Sequence, residues 1–138
     1  MNKHIPLPQH RRNGMTVVEV SIAAPVAFLL IIGLMVGGLG TFRYQQVATL
    51  AREGCAYAAI HGPYYADRTG QPQATSDSVK TSAILPLAAG LDPSALNCKL
   101  TYDTNAGTAT VKLDYSWIPE GLLPATTLTS TSVMMIEQ

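Results

Sequence analysis

One long apolar run opens the hydrophobic pattern of this chain, and shorter amphipathic patterns follow it. Residues 20–42 contain no Asp, Glu, Lys, Arg or His. A helix rises about 1.5 Å per residue, so about 20 apolar residues cross the roughly 30 Å hydrocarbon core of a bilayer. The run therefore predicts a transmembrane helix, which we place at residues 15–42.

Three glycines in this run fall on one side of the predicted helix. Gly33, Gly37 and Gly40 stand at positions i, i+4 and i+7, which share a helix face. Small residues at such positions let a second helix approach closely. The spacing fits a helix-packing face, although glycine is also common in membrane helices without that role.

An amphipathic pattern follows the apolar run and predicts that the helix continues. Its apolar stripe ends in a stop signal formed by His61, Gly62 and Pro63, so we place the helix end near Ile60. Residues 64–76 predict a loop, and a second helix, capped by Asp77 or Ser78, is predicted to continue to about Ala89. The stripe consists of Tyr44, Val47, Ala48, Ala51, Cys55 and Ala58.

The pattern then changes to the two-residue period of strands. Apolar residues alternate with polar ones over 96–102 and again over 109–117. The intervening segment 103–107 is rich in turn-forming residues, which predicts an antiparallel hairpin. A third strand, rich in Thr and Ser, is predicted over 126–136. These elements predict an α+β fold in which a long N-terminal helix packs on a small antiparallel sheet.

The position of charged residues sets the predicted domains and topology. Lys3, Arg11 and Arg12 precede the apolar run, so the positive-inside rule places the N-terminus in the cytoplasm. The run is too long for an ordinary secretory signal. We therefore predict a leader at 1–14, a single inner-membrane span at 15–42 and a periplasmic or extracellular α+β domain at 43–138.

Composition argues against several functional classes. The whole chain has nine basic and nine acidic residues, and without the leader the acidic residues are in excess. A nucleic-acid-binding surface would show a basic patch instead. The sequence contains no phosphate-binding loop, nucleophile motif or metal-ligand spacing, so no enzyme activity, metal or cofactor is predicted. His61 is expected to contact the last carbonyls of its helix.

The chain has two cysteines, Cys55 and Cys98. Cys55 lies on the apolar stripe of the first helix and Cys98 on the apolar face of the first strand, so both point toward the predicted core. Outside the cytoplasm they would favour a disulfide that joins helix to sheet. The alternative is two separately buried thiols.

The most informative polar residue is Glu19, because it stands at the start of the apolar run. A carboxylate there is costly inside a membrane and usually has a partner. Cleavage after Gly14 would leave Met15 with a free amine four residues ahead of Glu19. In an assembly, Glu19 of one subunit would neutralise the Met15 amine of its neighbour. The alternative is a carboxylate that reaches the lipid headgroups and pairs with nothing.

These residues resemble the processing site of type IV pilins and pseudopilins, whose leaders are cut after a Gly and whose fifth mature residue is Glu. Within that superfamily, Val18-Glu19, Pro25, the segment 51–54 and Tyr57-Ala58 most resemble TadE-like proteins of the tight-adherence (Tad/Flp) pilus system. The stretch 128–137 is loosely similar to the C-terminus of that family.

The resemblance implies a membrane-anchored minor pseudopilin in the assembly of an adhesive pilus. Its implied partners are a prepilin peptidase that cuts between Gly14 and Met15, other pilin or pseudopilin subunits, and the pilus assembly platform. A type IV pilin or a type II secretion pseudopilin would carry the same processing site. An uncleaved, membrane-anchored enzyme or binding domain is the alternative from a different functional class.

Overall fold

The computed structural model of the chain describes residues 13–119 and 124–136, with side chains from residue 17 onward. Contacts divide it into two compact units, one that ends at Gly37 and one that begins at Gly38. The second unit contains a three-stranded antiparallel sheet. The predicted α+β class is confirmed.

The long helix α1 spans Asn13–Ile60 and continues through Pro25. Its predicted end near Ile60 is confirmed. Gly62 and Pro63 follow that end, and Pro63 starts the next helix because proline lacks the N–H that a first helical turn leaves unpaired.

The segment after α1 differs from the predicted loop at 64–76. It contains a short helix, α2, at Pro63–Thr69, which ends at Gly70 in the left-handed conformation with φ of 71°. Proline at the first position and glycine just past the end are helix-boundary signals, and they act here over only two turns. The loop prediction is wrong for these residues.

The predicted second helix forms in three consecutive pieces. α3 spans Ser76–Val79, a π-helical turn spans Lys80–Ile84, and a 3₁₀ turn spans Leu85–Leu87. The N-cap is Thr75, whose hydroxyl accepts the Ser78 N–H, rather than Asp77 or Ser78 as predicted. Pro86 lies in the 3₁₀ turn, where its missing N–H removes one hydrogen bond from the ladder.

The sheet contains β1 at Leu96–Asp103, β2 at Thr108–Trp117 and β3 at Thr126–Met135, in the order β1-β2-β3. The predicted hairpin and third strand are both confirmed. In the β1–β2 turn, the Asp103 carboxylate accepts the N–H groups of Asn105 and Ala106. Gly107 closes the turn with φ of 63°, a conformation that favours glycine.

One face of α1 and the inner face of the sheet enclose the core of the second unit. Four members of the predicted stripe are buried, whereas Ala48 is half-buried and Tyr44 is exposed. Gly54 lets α1 approach the helical segment 76–84, because a Cβ there would lie 3.1 Å from Val79 and 3.2 Å from Ile84. The residues buried between helix and sheet include Val47, Ala51, Cys55, Ala58, Leu96, Val111 and Leu113.

Candidate functional site

No described side chain in the apolar part of α1 is buried within the first unit. None of the residues in its most apolar stretch is buried. Among the described residues, α1 contains the one segment that is long and apolar enough to span a membrane. Exposed apolar surface is unfavourable in water by about 25 cal/mol per Å². This helix therefore requires lipid or other protein around it. Its exposed large side chains are Val17, Val18, Val20, Ile22, Val26, Phe28, Leu29, Leu30, Ile31, Ile32, Leu34 and Met35.

Glu19 lies at the start of this apolar surface. Its side chain is exposed, and its chain neighbours Val18 and Val20 are also exposed. From residue 17 onward, no described side chain forms an ion pair with it. The carboxylate is therefore sterically accessible to a group from outside the chain.

The proposed processing residues lie at the beginning of the described chain. The backbone of Gly14 and Met15 is helical, in the first turn of α1. The predicted leader, apart from its last two residues, lies outside the described residues. Cleavage between Gly14 and Met15 stays a prediction.

The three glycines of the predicted packing face have different surroundings. A Cβ added at Gly33 or Gly37 would meet no atom within 4 Å. A Cβ at Gly40 would lie 3.0 and 3.3 Å from ring atoms of Trp117 on β2. The absence of a side chain at Gly40 thus leaves room for Trp117 of the sheet. The i, i+4, i+7 spacing alone did not predict this contact.

The two cysteines are both buried, and both are free thiols in the structure. The Cys55 thiol donates to the carbonyl oxygens of Ala109 and Ser132, at 3.2 and 3.4 Å. Cys98 instead lies opposite Leu113. Leu113 is four residues from Ala109 along β2, which is about 13 Å at strand geometry.

The predicted disulfide is therefore not formed. A bridge needs Cα atoms within about 7 Å of each other, whereas Cys55 contacts the sheet at Ala109 and Ser132 and Cys98 lies opposite Leu113. The structure has the alternative arrangement of two separately buried thiols. Burial raises the pKa of the Cys98 thiol; the positive charge of Lys80 acts in the opposite direction, and Asp77 adds to the rise.

The end of α1 carries a small aromatic cluster. A ring nitrogen of His61 lies 3.0 Å from the Tyr57 carbonyl oxygen, as expected for a histidine at a helix end. The His61 ring stacks on the Tyr57 ring, with ring centroids 4.2 Å apart. It forms an edge-type contact with the Tyr65 ring, with ring centroids 4.9 Å apart. Within the described ranges, no group of three His, Cys, Asp or Glu residues could hold a metal ion.

The sequence did not reveal an open groove beside α1 in the second unit. Phe42 and Leu50 line it from α1, and Leu87 and Leu91 line it from the segment that precedes the sheet. Phe42 and Leu87 are more than half exposed. Leu87 belongs to the 3₁₀ turn, so the groove depends on a local break in the helix that periodicity does not predict.

Comparison with known protein families finds a match in the N-terminal part of the chain. The family model described as TadE-like protein matches residues 14–55, which is less than a third of the chain. No curated protein and no solved structure matches the chain significantly. The matched region begins at Gly14, contains Glu19 and the apolar run, and ends at Cys55. Over residues 14–55 the chain is thus similar to TadE-like proteins, as the motif at Gly14 and Glu19 predicted.

Proposed function

We propose that this protein is a membrane-anchored subunit of a Tad/Flp-type pilus system, a minor pseudopilin or pilus-assembly component. The observation that carries the proposal is the TadE-like match, which covers the processing motif, Glu19 and the exposed apolar helix together. The proposed role is structural rather than catalytic.

In this role the apolar part of α1 serves twice. Before assembly it anchors the protein in the inner membrane, with the N-terminus in the cytoplasm and the sheet domain on the other side. During assembly the same surface packs among the helices of other pilin or pseudopilin subunits. Both environments remove apolar side chains from water, so one segment suits both states.

Processing by a prepilin peptidase would prepare α1 for assembly. A cut after Gly14 removes the basic leader and creates a positive amine at Met15. Glu19 of a neighbouring subunit would then neutralise this amine inside the helix bundle. An unpaired charge in an apolar bundle is strongly unfavourable, so the pair would also fix the register between neighbours.

A substitution of Glu19 tests this assembly role. We expect Glu19→Gln to lower incorporation of the protein into the pilus or its assembly complex by more than about 10-fold, because one partner of a desolvated charge pair is lost. Membrane insertion should persist, since the substitution removes a charge from an apolar segment. The measurement is quantitative detection of the protein in sheared pilus and membrane fractions.

Glu53→Gln is the matched control, because Glu53 is also an exposed carboxylate on α1 but lies outside the apolar run. It should assemble at the normal level. Equal incorporation of Glu19→Gln and the unmodified protein would contradict the proposed role of Glu19.

A further inference from the structure

One end of the sheet lies beside the last part of the apolar run of α1. A Cβ added at Gly40 would lie 3.0 and 3.3 Å from two ring atoms of Trp117, so the indole ring packs directly on the helix here. Gly40 precedes the end of the run at Phe42 by two residues. Both Gly40 and Trp117 belong to the second unit. A side chain of the sheet therefore lies at the level of the predicted membrane span.

The length of the apolar run places this level at the edge of a bilayer. As a helix, residues 20–42 extend about 34 Å, slightly more than the roughly 30 Å hydrocarbon core. The run is flanked by Glu19 and Arg43, and charged groups favour the headgroup regions over the hydrocarbon. A span with both charges in the headgroup regions has Gly40 at the boundary of the hydrocarbon, together with the Trp117 ring that contacts it.

Trp117 has the properties of an interfacial tryptophan. Its ring atoms Cζ3 and Cη2 lie nearest to Gly40, so the indole N–H lies at the other end of the ring system. Among the described residues no group accepts a hydrogen bond from this N–H, and the nitrogen is not buried. Tryptophan is enriched where membrane meets water, because its apolar ring suits the acyl chains and its N–H suits the headgroups.

Two further residues lie beside Trp117, and we call the three together the Trp117 patch. Ile118 follows Trp117 in the chain and is 63% exposed. Arg43 lines the same recess as Trp117 and Ile118. Asp92 also lines this recess, and its carboxylate accepts the N–H and the hydroxyl of Ser94. The patch thus combines an aromatic, an aliphatic and a cationic side chain, which are residue types that membrane interfaces favour.

Exposure alone does not distinguish this end of the sheet from the other. The opposite end carries the polar turn 103–107, and Met135 there is 80% exposed. Met135 is separated from Trp117 by the length of β2, which is about 30 Å. What distinguishes the Trp117 patch is its continuity with the apolar run, because its tryptophan contacts Gly40 within that run. Lipid that surrounds the run would also meet the patch.

We propose that the Trp117 patch inserts into the headgroup region of the bilayer that α1 spans, as a second membrane contact made by the sheet. This inference rests on the proposed membrane-anchored role of α1. The indole ring and Ile118 contact the upper acyl chains. The indole N–H and the Arg43 guanidinium donate to phosphate or carbonyl oxygens of the lipid. The sheet is thereby held at the membrane surface by its own side chains as well as by α1.

The fluorescence of the full chain in lipid vesicles tests this contact, because Trp117 is the single tryptophan of the chain. The vesicles contain phosphatidylcholine with bromine in either the upper or the lower part of its acyl chains. We expect upper-chain bromine to lower the emission roughly 2-fold and lower-chain bromine to lower it less, as for a ring at the boundary. Both leaflets carry bromine, so the orientation of the inserted protein does not affect the result.

Two control variants move the tryptophan in a Trp117→Phe background. Met135→Trp places it at the opposite end of the sheet, where bromine should have no effect and acrylamide in the water should quench it. Ile31→Trp places it in the middle of the apolar run, where lower-chain bromine should quench it most.

The controls separate failure of this inference from failure of the proposed membrane anchor. Quenching in Ile31→Trp without quenching of Trp117 would overturn the insertion of the patch alone. No quenching in Ile31→Trp would overturn the membrane span and the inference together. A Trp117 that neither bromine nor acrylamide quenches would indicate that protein covers the patch, which would also overturn its contact with lipid.

A charge substitution supplies an independent measurement. A carboxylate is unfavourable among acyl chains, so we expect Ile118→Glu to lower the upper-chain quenching of Trp117 roughly 2-fold. The circular dichroism spectrum should not change, because Ile118 is exposed and lies outside the core. Met135→Glu makes a similar change at the opposite end of the sheet and should leave the quenching unaltered. Equal quenching in Ile118→Glu and the unmodified chain would contradict the insertion of this end of the sheet.

Discussion

At the scale of single residues, Tyr102 connects the sheet to the end of the long helix. Its hydroxyl donates to the Ala58 carbonyl oxygen at 3.0 Å. Ala58 lies in the last turn of α1, where carbonyl groups have no partner within the helix. Burial raises the pKa of Tyr102 to about 12, and nearby Cys55 and Tyr57 add to the rise.

This pKa predicts a loss of stability at high pH. The unfolded chain releases the Tyr102 proton near the ordinary tyrosine pKa of 10.0, whereas the folded chain, with a pKa of about 12, retains it to higher pH. The contribution of Tyr102 is therefore complete below pH 10 and decreases as the pH rises through 12. Chemical denaturation of the full chain at several pH values measures this dependence.

Tyr102→Phe separates this effect from general alkaline unfolding. It should destabilise the fold by about 1 kcal/mol at neutral pH, through the lost hydrogen bond, and should lose part of the decline between pH 10 and 12. Tyr64→Phe, at an exposed tyrosine, should leave both properties unchanged. An alkaline decline that is equally steep in Tyr102→Phe would contradict the assignment to Tyr102.

At the scale of elements, the way α1 lies on the sheet keeps the two thiols apart. Cys55 contacts the sheet near Ala109 and Ser132, while Cys98 lies opposite Leu113. Both are buried, and burial raises the pKa of Cys98, which lowers the fraction of reactive thiolate. The protein should therefore contain two protected thiols.

Mass spectrometry after alkylation checks this arrangement. Without any reductant, the unfolded protein should gain two N-ethylmaleimide adducts, and the native protein should react at least about 10-fold more slowly. Thr101→Cys adds an exposed thiol on β1 as a reference for unhindered reaction. An unfolded protein that gains no adduct until reductant is added would show that the disulfide forms.

The elements themselves were largely predictable, because their signals are local. The change from helical to two-residue periodicity located the hairpin, and Gly62 with Pro63 located the end of α1. α2 was missed because its seven residues are too short and polar to show an apolar stripe. The contacts that the Cys55 thiol makes with the sheet were not predictable, because they depend on where α1 lies along the strands.

The difference between local signals and long-range contacts also applies to the candidate site. Glu19, Gly14 and the apolar run are adjacent in sequence, so their pattern was visible without a structure. Trp117 lies far from Gly40 in sequence and packs against it only in the folded unit. The contacts of Lys80 with the Leu96 carbonyl and of Ser76 with the Leu100 N–H likewise join residues that are far apart in sequence.

At the scale of the whole molecule, the two units differ in the surfaces that they expose. The first unit exposes apolar side chains along α1, which requires lipid or other helices around it. The second unit buries its own core between α1 and the sheet. A subunit that is anchored first and assembled later needs both a core of its own and surfaces that remain unpaired.

We propose that the chain enters the prepilin pathway. The most direct test is the N-terminal residue of the protein isolated from native membranes, determined by mass spectrometry, with Gly14→Val as the test variant and Asn13→Ala as the neighbouring control. We predict a start at Met15 in the unmodified protein and in Asn13→Ala, and an intact leader in Gly14→Val. An intact leader in all three would contradict the pseudopilin account and favour an uncleaved, membrane-anchored domain.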